Sequence, residues 1–176
     1  MNYCIIAYTN YKTDYRVRRY AEALSKSGNG VDVISLKGNH ITNQTVLNGV
    51  NVYAIQSRKF NERKPNSYLF NILKFYMKGS VLLSLLHLKR KYKVIHINNV
   101  PDFLVFMAVI PKLLGTRIIL DIHDILPEFY SQKFNIGFDT IIPKILRFIE
   151  KLSIRFSDHV IVANDLWRKK RRMLKR

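Results

Sequence analysis

The chain has 176 residues, 48% of them apolar, with ten Tyr and ten Phe, enough to pack one domain and to exclude disorder. Five Pro and seven Gly are too few for a low-complexity chain, and the single cysteine excludes an internal disulfide. The net charge is +18; seven of the cations lie in the last nine residues, Arg168–Arg176, and the other 167 residues still carry +11, a field that draws nucleic acid, anionic lipid or phosphorylated substrates without choosing among them.

Taken in chain order, short apolar runs alternate with longer helical patterns. Tyr3–Ala7 reads as a first strand, with Cys4 packed in it, followed by a polar loop, Tyr8–Thr13. Asp14 stands where a carboxylate caps a helix, and Val17, Tyr20, Ala21 and Leu24 recur with the period of one helix face until Gly28 and Gly30 stop it. Val31–Leu36 alternates and reads as strand two, and Val50–Ile55 reads as strand three. A charged loop leads into a long helical segment, Tyr68–Lys91, with a break expected near Gly79-Ser80. Val94–Ile97 is strand four; Phe103–Leu114 is an apolar helix ended by Gly115; Thr116–Leu120 is strand five. A helix from about Thr140 to Phe156, strand six at Val160–Ala163 and a last basic helix complete the pattern.

Continuous apolar strands alternating with helices predict an α/β, doubly wound, Rossmann-like domain with a parallel sheet covered on both faces. In such a sheet, ligands bind beyond the carboxyl ends of the strands. Those exits would gather Thr9, Asn10, Asp14 and Arg16 after strand one, Asn98 and Asn99 after strand four, Asp121, His123, Asp124 and Glu128 after strand five, and Asn164 after strand six. The richest exit is RIILDIHDILPEFY, residues 117–130, where an apolar run ends in four titratable side chains. His123 is suited to carry a proton and Asp121 to orient it; the competing reading has Asp121 and Asp124 bonding loop N–H groups. Asp121, His123 and Glu128 lack the spacing of a known closed metal site. GxGxxG and the P-loop pattern are both absent after strand one. Arg16 is the cation of helix one best placed for a phosphate, and His96, between Ile95 and Ile97, reads as a packed strand histidine.

Met1-Asn2-Tyr3 carries no positively charged n-region and no window reaches the uncharged apolar length that spans a bilayer, so neither an export signal nor a spanning segment is expected. The expectation is a cytoplasmic chain, peripheral at most, with the Tyr68–Lys91 helix either resting on an anionic membrane or serving as a core helix with a basic rim.

TDYRVRRYAEALSKSGNGVDVISL, VNVYAI, KVIHINNVPDFLVFMAVIPKLLGTRIILDIHDILPEFY and IEKLSIRFSDHVIVAND follow one another in order. Together they resemble the N-terminal half of family 4 glycosyltransferases, retaining GT-B enzymes that build polysaccharides and lipid-linked sugars. The resemblance implies two Rossmann-like domains facing a cleft, of which residues 1–176 would form the first, acceptor-side one. A nucleotide-sugar donor would be held mainly by a second domain, and a glycan or lipid-linked acceptor by this one. His123, with Asp124 beside it, would stand at the reaction centre, and Thr9–Asp14 with Arg16 near the donor phosphates. It implies no metal, no other cofactor and no protein nucleophile.

Two features depart from that pattern. The first loop reads YTNYKTDYR where many relatives have a Gly-Gly pair, and the Glu-x7-Glu donor motif does not occur. The donor-binding domain is therefore expected on another stretch of chain or on a partner, and residues 1–176 alone are expected to transfer little. Two alternatives remain open at this stage: a basic Rossmann-like module that holds nucleic acid, and a non-catalytic partner subunit of a split transferase.

Overall fold

The computed structural model describes residues 1–38, 43–57, 65–98, 101–122 and 141–162. Seven strands form one sheet: β1 (Asn2–Asn10), β2 (Gly30–Lys37), β3 (Gln44–Leu47), β4 (Val50–Ser57), β5 (Val94–Asn98), β6 (Arg117–Ile122) and β7 (His159–Val162). Their order is β3-β4-β2-β1-β5-β6-β7, and every pairing is parallel except β3 with β4. The helices are α1 (Tyr15–Lys26), α2 (Pro65–Arg90), a 3-10 segment (Asp102–Ala108) running into α3 (Val109–Leu113), and α4 (Ile141–Phe156). The predicted doubly wound architecture holds.

Alternation sorts the core into two layers. Ile5 and Ala7 of β1 and Val31 and Val33 of β2 face α1, meeting Val17 and Ala21. Cys4, Ile6, Ile95, Ile97, Ile118 and Leu120 face the other way, into a larger cluster with Ile72, Phe75 and Leu83 of α2, Leu104 and Met107 of the 3-10 segment, and Ile154 of α4. Because both faces are covered, the alternating VDVISL run is buried on both: Asp32 and Ser35 are as enclosed as their apolar neighbours.

Three elements differ from the sequence reading. The sheet has seven strands rather than six; β3 is an antiparallel edge strand, joined to β4 by Asn48-Gly49 with φ of 50° and 78°. Those are the left-handed residues a tight hairpin turn requires. Helix α2 is unbroken at Gly79. Glycine serves a close approach there: a Cβ would run into Met107 Cε of the 3-10 segment. The predicted helix over Phe103–Leu114 begins as a 3-10 segment and only Val109–Leu113 are α-helical.

Candidate functional site

The order of the sheet reverses between β1 and β5, since β1 leads to β2 on one side while β5 and β6 lie on the other. The crevice of a doubly wound domain opens at that point. Ala7, Asn98 and Asp121 lie level with one another across β1, β5 and β6, so the exits of these strands share one edge.

The first wall is the turn between β1 and α1. Strand β1 runs on to Asn10, three residues beyond the predicted end. Asn10 organises the turn: its carbonyl accepts from Thr13 N and Asp14 N at 3.2 and 3.0 Å, and its Oδ1 accepts from Lys12 N at 3.0 Å. Asp14 caps α1 as expected, Oδ1 accepting from Arg16 N and Val17 N at 3.1 and 3.2 Å. Two of the N–H groups that a bare helix end would offer to a phosphate are therefore already bonded to a carboxylate. The nearby cation has to come from a side chain. Arg18 is turned toward Glu22, 3.7 Å away, and Arg19 lies over the Tyr20 ring. Arg16 instead lines an open cavity of about 450 Å³ together with Thr9, Thr13, Asp14 and Tyr15. Beneath the turn, Tyr11 is buried in the α1 layer, and burial, with Glu22 adding and Arg18 opposing, pushes its phenol up to about 12.

The second wall is polar and buried. His96, Asn98 and Asp121 all point to the α1 side of the sheet, opposite in phase to Ile95, Ile97 and Leu120. Asp121 and Asn98 are each 2% exposed. Among the described residues, both amide atoms of Asn98, Oδ2 of Asp121 and Nε2 of His96 have no hydrogen-bond partner. His96 Nε2 stands 3.6 Å from Asp121 Oδ2, outside hydrogen-bond reach. The imidazole packs on Tyr20 with ring centroids 5.2 Å apart. Arg16 precedes Tyr20 by four residues, so it sits on the same side of α1, one turn, ~5.4 Å, nearer the strand exits.

Of the residues predicted from sequence, Thr9, Asp14 and Arg16 line the cavity at the exit of β1, Asn10 holds the turn beside it, and Asn98 and Asp121 lie level with each other at the ends of β5 and β6. Asn99, His123, Asp124, Glu128 and Asn164 lie outside the described residues. His96 is packed, as its alternation suggests, yet it also faces Asp121, which the sequence reading missed. The register of VIHIN against ILDI carries that signal, because residues two apart on neighbouring parallel strands share a face. Tyr11 was missed because a polar stretch hides one buried ring.

The family model of the glycosyl transferase 4-like domain matches residues 13–173. The chain belongs to that family. No curated protein matches it. Among solved structures, this glycosyl transferase 4-like domain is similar to sucrose-phosphate synthase from Thermosynechococcus elongatus, with TM-score 0.70 and 17% identity over 98% of the present chain and 45% of the synthase. A second structure of that synthase, covered to 82%, aligns along the whole of the present chain at TM-score 0.64 and 15% identity. UGT73P12 of Glycyrrhiza uralensis, solved with glycyrrhetinic acid 3-O-monoglucuronide, aligns at TM-score 0.61 and 10% identity over 99% of the present chain and 46% of its own. The shared feature is the fold, that of GT-B glycosyltransferases. The domain spans less than half the length of the first of these synthase chains.

Proposed function

We propose that this glycosyl transferase 4-like domain is the acceptor-side half of a retaining transferase that moves a sugar from a nucleotide-sugar to a glycan or lipid-linked acceptor. The observation that supports the reading is the strand edge, where Arg16 lines the cavity at the exit of β1 and where both amide atoms of Asn98 and Oδ2 of Asp121, level with each other at the ends of β5 and β6, have no hydrogen-bond partner among the described residues. Buried polar atoms are nearly always bonded, so orphaned ones at a strand exit suit a partner brought by substrate. An amide and a carboxylate together match sugar hydroxyls, which donate and accept. Arg16 would meet the donor's phosphate side, compensating for the helix N–H groups taken by Asp14. Asp121 leads within two residues to His123, assigned here to the reaction centre with Asp124; Asn99, Glu128 and Asn164 would extend the acceptor wall. No side chain is assigned as a nucleophile.

The donor's nucleotide would be held by a second domain, on the same polypeptide or on a partner chain. The setting proposed is polysaccharide or lipid-linked glycan synthesis at the cytoplasmic face of a membrane. The test uses a transferase that joins this domain to a donor-binding domain. His123→Ala should abolish transfer, lowering kcat at least ~100-fold, as expected for losing a positioned proton carrier, with Tm unchanged. Activity within a few-fold of the parent would refute the assignment.

A further inference from the structure

Helix α2 is apolar on both sides. Tyr68, Ile72, Phe75 and Leu83 are buried in the larger core cluster. On the opposite side, Phe70, Leu73, Met77, Val81, Leu85 and Leu88 are all 45–67% exposed. The segment Ser67–Arg90 is long and apolar enough to cross a membrane by length and composition, although the sequence reading, which demanded an uncharged run, found no such segment. Its buried side ties it to the sheet.

The 3-10 segment and α3 pack beside α2 on the same face of the sheet, and α4 packs on the 3-10 segment. Both continue the outer surface. Leu113 and Leu114 are 82% and 58% exposed, and Ile141, Ile145, Phe148 and Leu152 form a stripe on α4 opposite its buried Ile154. Cations run along these stripes: Lys74, Lys78 and Lys89 on α2, and Lys144, Arg147 and Arg155 on α4 are exposed. Helices α2 and α3 hold no acidic residue, and Glu150, the one acid of α4, is buried.

We infer that the outer faces of α2, α3 and α4 form one composite platform that lies flat on an anionic bilayer, with α2 in the plane of the interface. Apolar stripes edged with lysine and arginine suit the boundary between acyl chains and anionic headgroups. A second copy of the chain is a poor occupant, because two such faces would set like charges against each other. Crossing the bilayer would strip Ile72, Phe75 and Leu83 from the core. This inference is independent of sugar transfer, since lipid binding is read without donor or acceptor.

The experiment is flotation of the full chain with phosphatidylcholine vesicles, with and without phosphatidylglycerol. Binding should be at least ~10-fold stronger to the anionic vesicles. The pair Ile145→Ser and Phe148→Ser on α4 should weaken binding roughly tenfold or more, the worth of burying large apolar side chains. It should do so as strongly as Phe70→Ser with Met77→Ser on α2, with unchanged thermal melts because all four positions are exposed. Lys74→Glu with Lys78→Glu should weaken the anionic preference at least several-fold while leaving the apolar stripe intact. Equal binding to both vesicle types overturns the inference, as does parent-like binding by the α4 pair. So does a self-association that the same variants abolish in a chain that ignores vesicles.

Discussion

Asp32 is a carboxylate enclosed at 2% exposure inside β2, which would be costly without partners. It has three. The Tyr92 hydroxyl donates to Oδ2 at 2.5 Å, Asn51 Nδ2 donates to Oδ1 at 2.7 Å, and Arg90 Nε lies 3.6 Å from Oδ2. The same enclosure raises the Tyr92 phenol far above its ordinary range, with the Cys4 thiol and Asp32 adding, and it raises the Cys4 thiol as well. Tyr92→Phe keeps the ring and removes the hydroxyl, leaving a buried carboxylate oxygen short of its best donor. That should cost about 1–3 kcal/mol in urea unfolding; a change below a few tenths would mean that Arg90 closes in to replace the bond. The partners of Asp32 were not legible in VDVISL, because Asn51, Arg90 and Tyr92 come from distant stretches of the chain. The sequence reports alternation, whereas burial depends on whether a second layer covers the other face. At the site, by contrast, Asp14 was legible as a cap because capping is local chemistry between residues two and three apart. The His96–Asp121 approach joins two strands 25 positions apart in sequence and needed the register.

Elements meet through similarly few residues. The junction of α4 with β7 is tied by Asp158, whose Oδ2 accepts from Ile118 N of β6 at 2.7 Å and whose Oδ1 accepts from Lys112 Nζ of α3 at 2.9 Å. One carboxylate thus joins β7, β6 and α3, which gives a physical reason for aspartate in the SDHV segment. Partial burial pushes its pKa up, but the Ile118 N–H and the Lys112 and Arg117 charges outweigh that and hold it below the ordinary carboxylate value. A depressed folded-state pKa means that the folded protein releases this proton more readily than the unfolded chain. The stabilisation is therefore complete above the unfolded value, ~3.9, and is lost as pH falls from there through the lower folded value. Asp158→Asn should flatten the acid limb of the stability curve below about pH 4. An unchanged acid limb in the variant would assign it to other carboxylates. The strand β3 makes the complementary point about legibility. Asn48-Gly49 between VL and VNV is a hairpin signal in plain sight, yet four residues of QTVL are too short to stand out beside the long apolar runs of a parallel sheet. Where the signal was strong, as in α1 and the six parallel strands, predicted and observed ranges agree to within a few residues, the ends drifting because strands continue while their backbone pairs last.

At the scale of the whole molecule, the sheet separates two surfaces. Arg16, His96, Asn98 and Asp121 belong to the α1 side and its strand exits, while the exposed apolar stripes of α2, α3 and α4 lie on the other side. The doubly wound topology was legible as a whole because each βαβ unit repeats the same signal. The outer stripes were only half legible, because a helix that is apolar all round shows no one-sided periodicity and its two faces are told apart only by what packs against them. The proposed bilayer-binding surface and the proposed site at the strand edge would then make separable contributions. On that proposal, membrane docking would raise the local concentration of a lipid-linked acceptor and leave chemistry at the strand exits untouched. In a complete transferase, Phe70→Ser with Phe148→Ser should therefore raise KM for a vesicle-borne acceptor about tenfold or more while kcat stays near the parent's, since only encounter is weakened. Against a short water-soluble acceptor the same variant should match the parent in both constants. Arg16→Ala should lower transfer to the two acceptors equally, because it acts at the edge both must reach. If the platform variant instead lost activity equally on both acceptors, the two surfaces would be coupled through the sheet, and the separation argued from their opposite faces would fail.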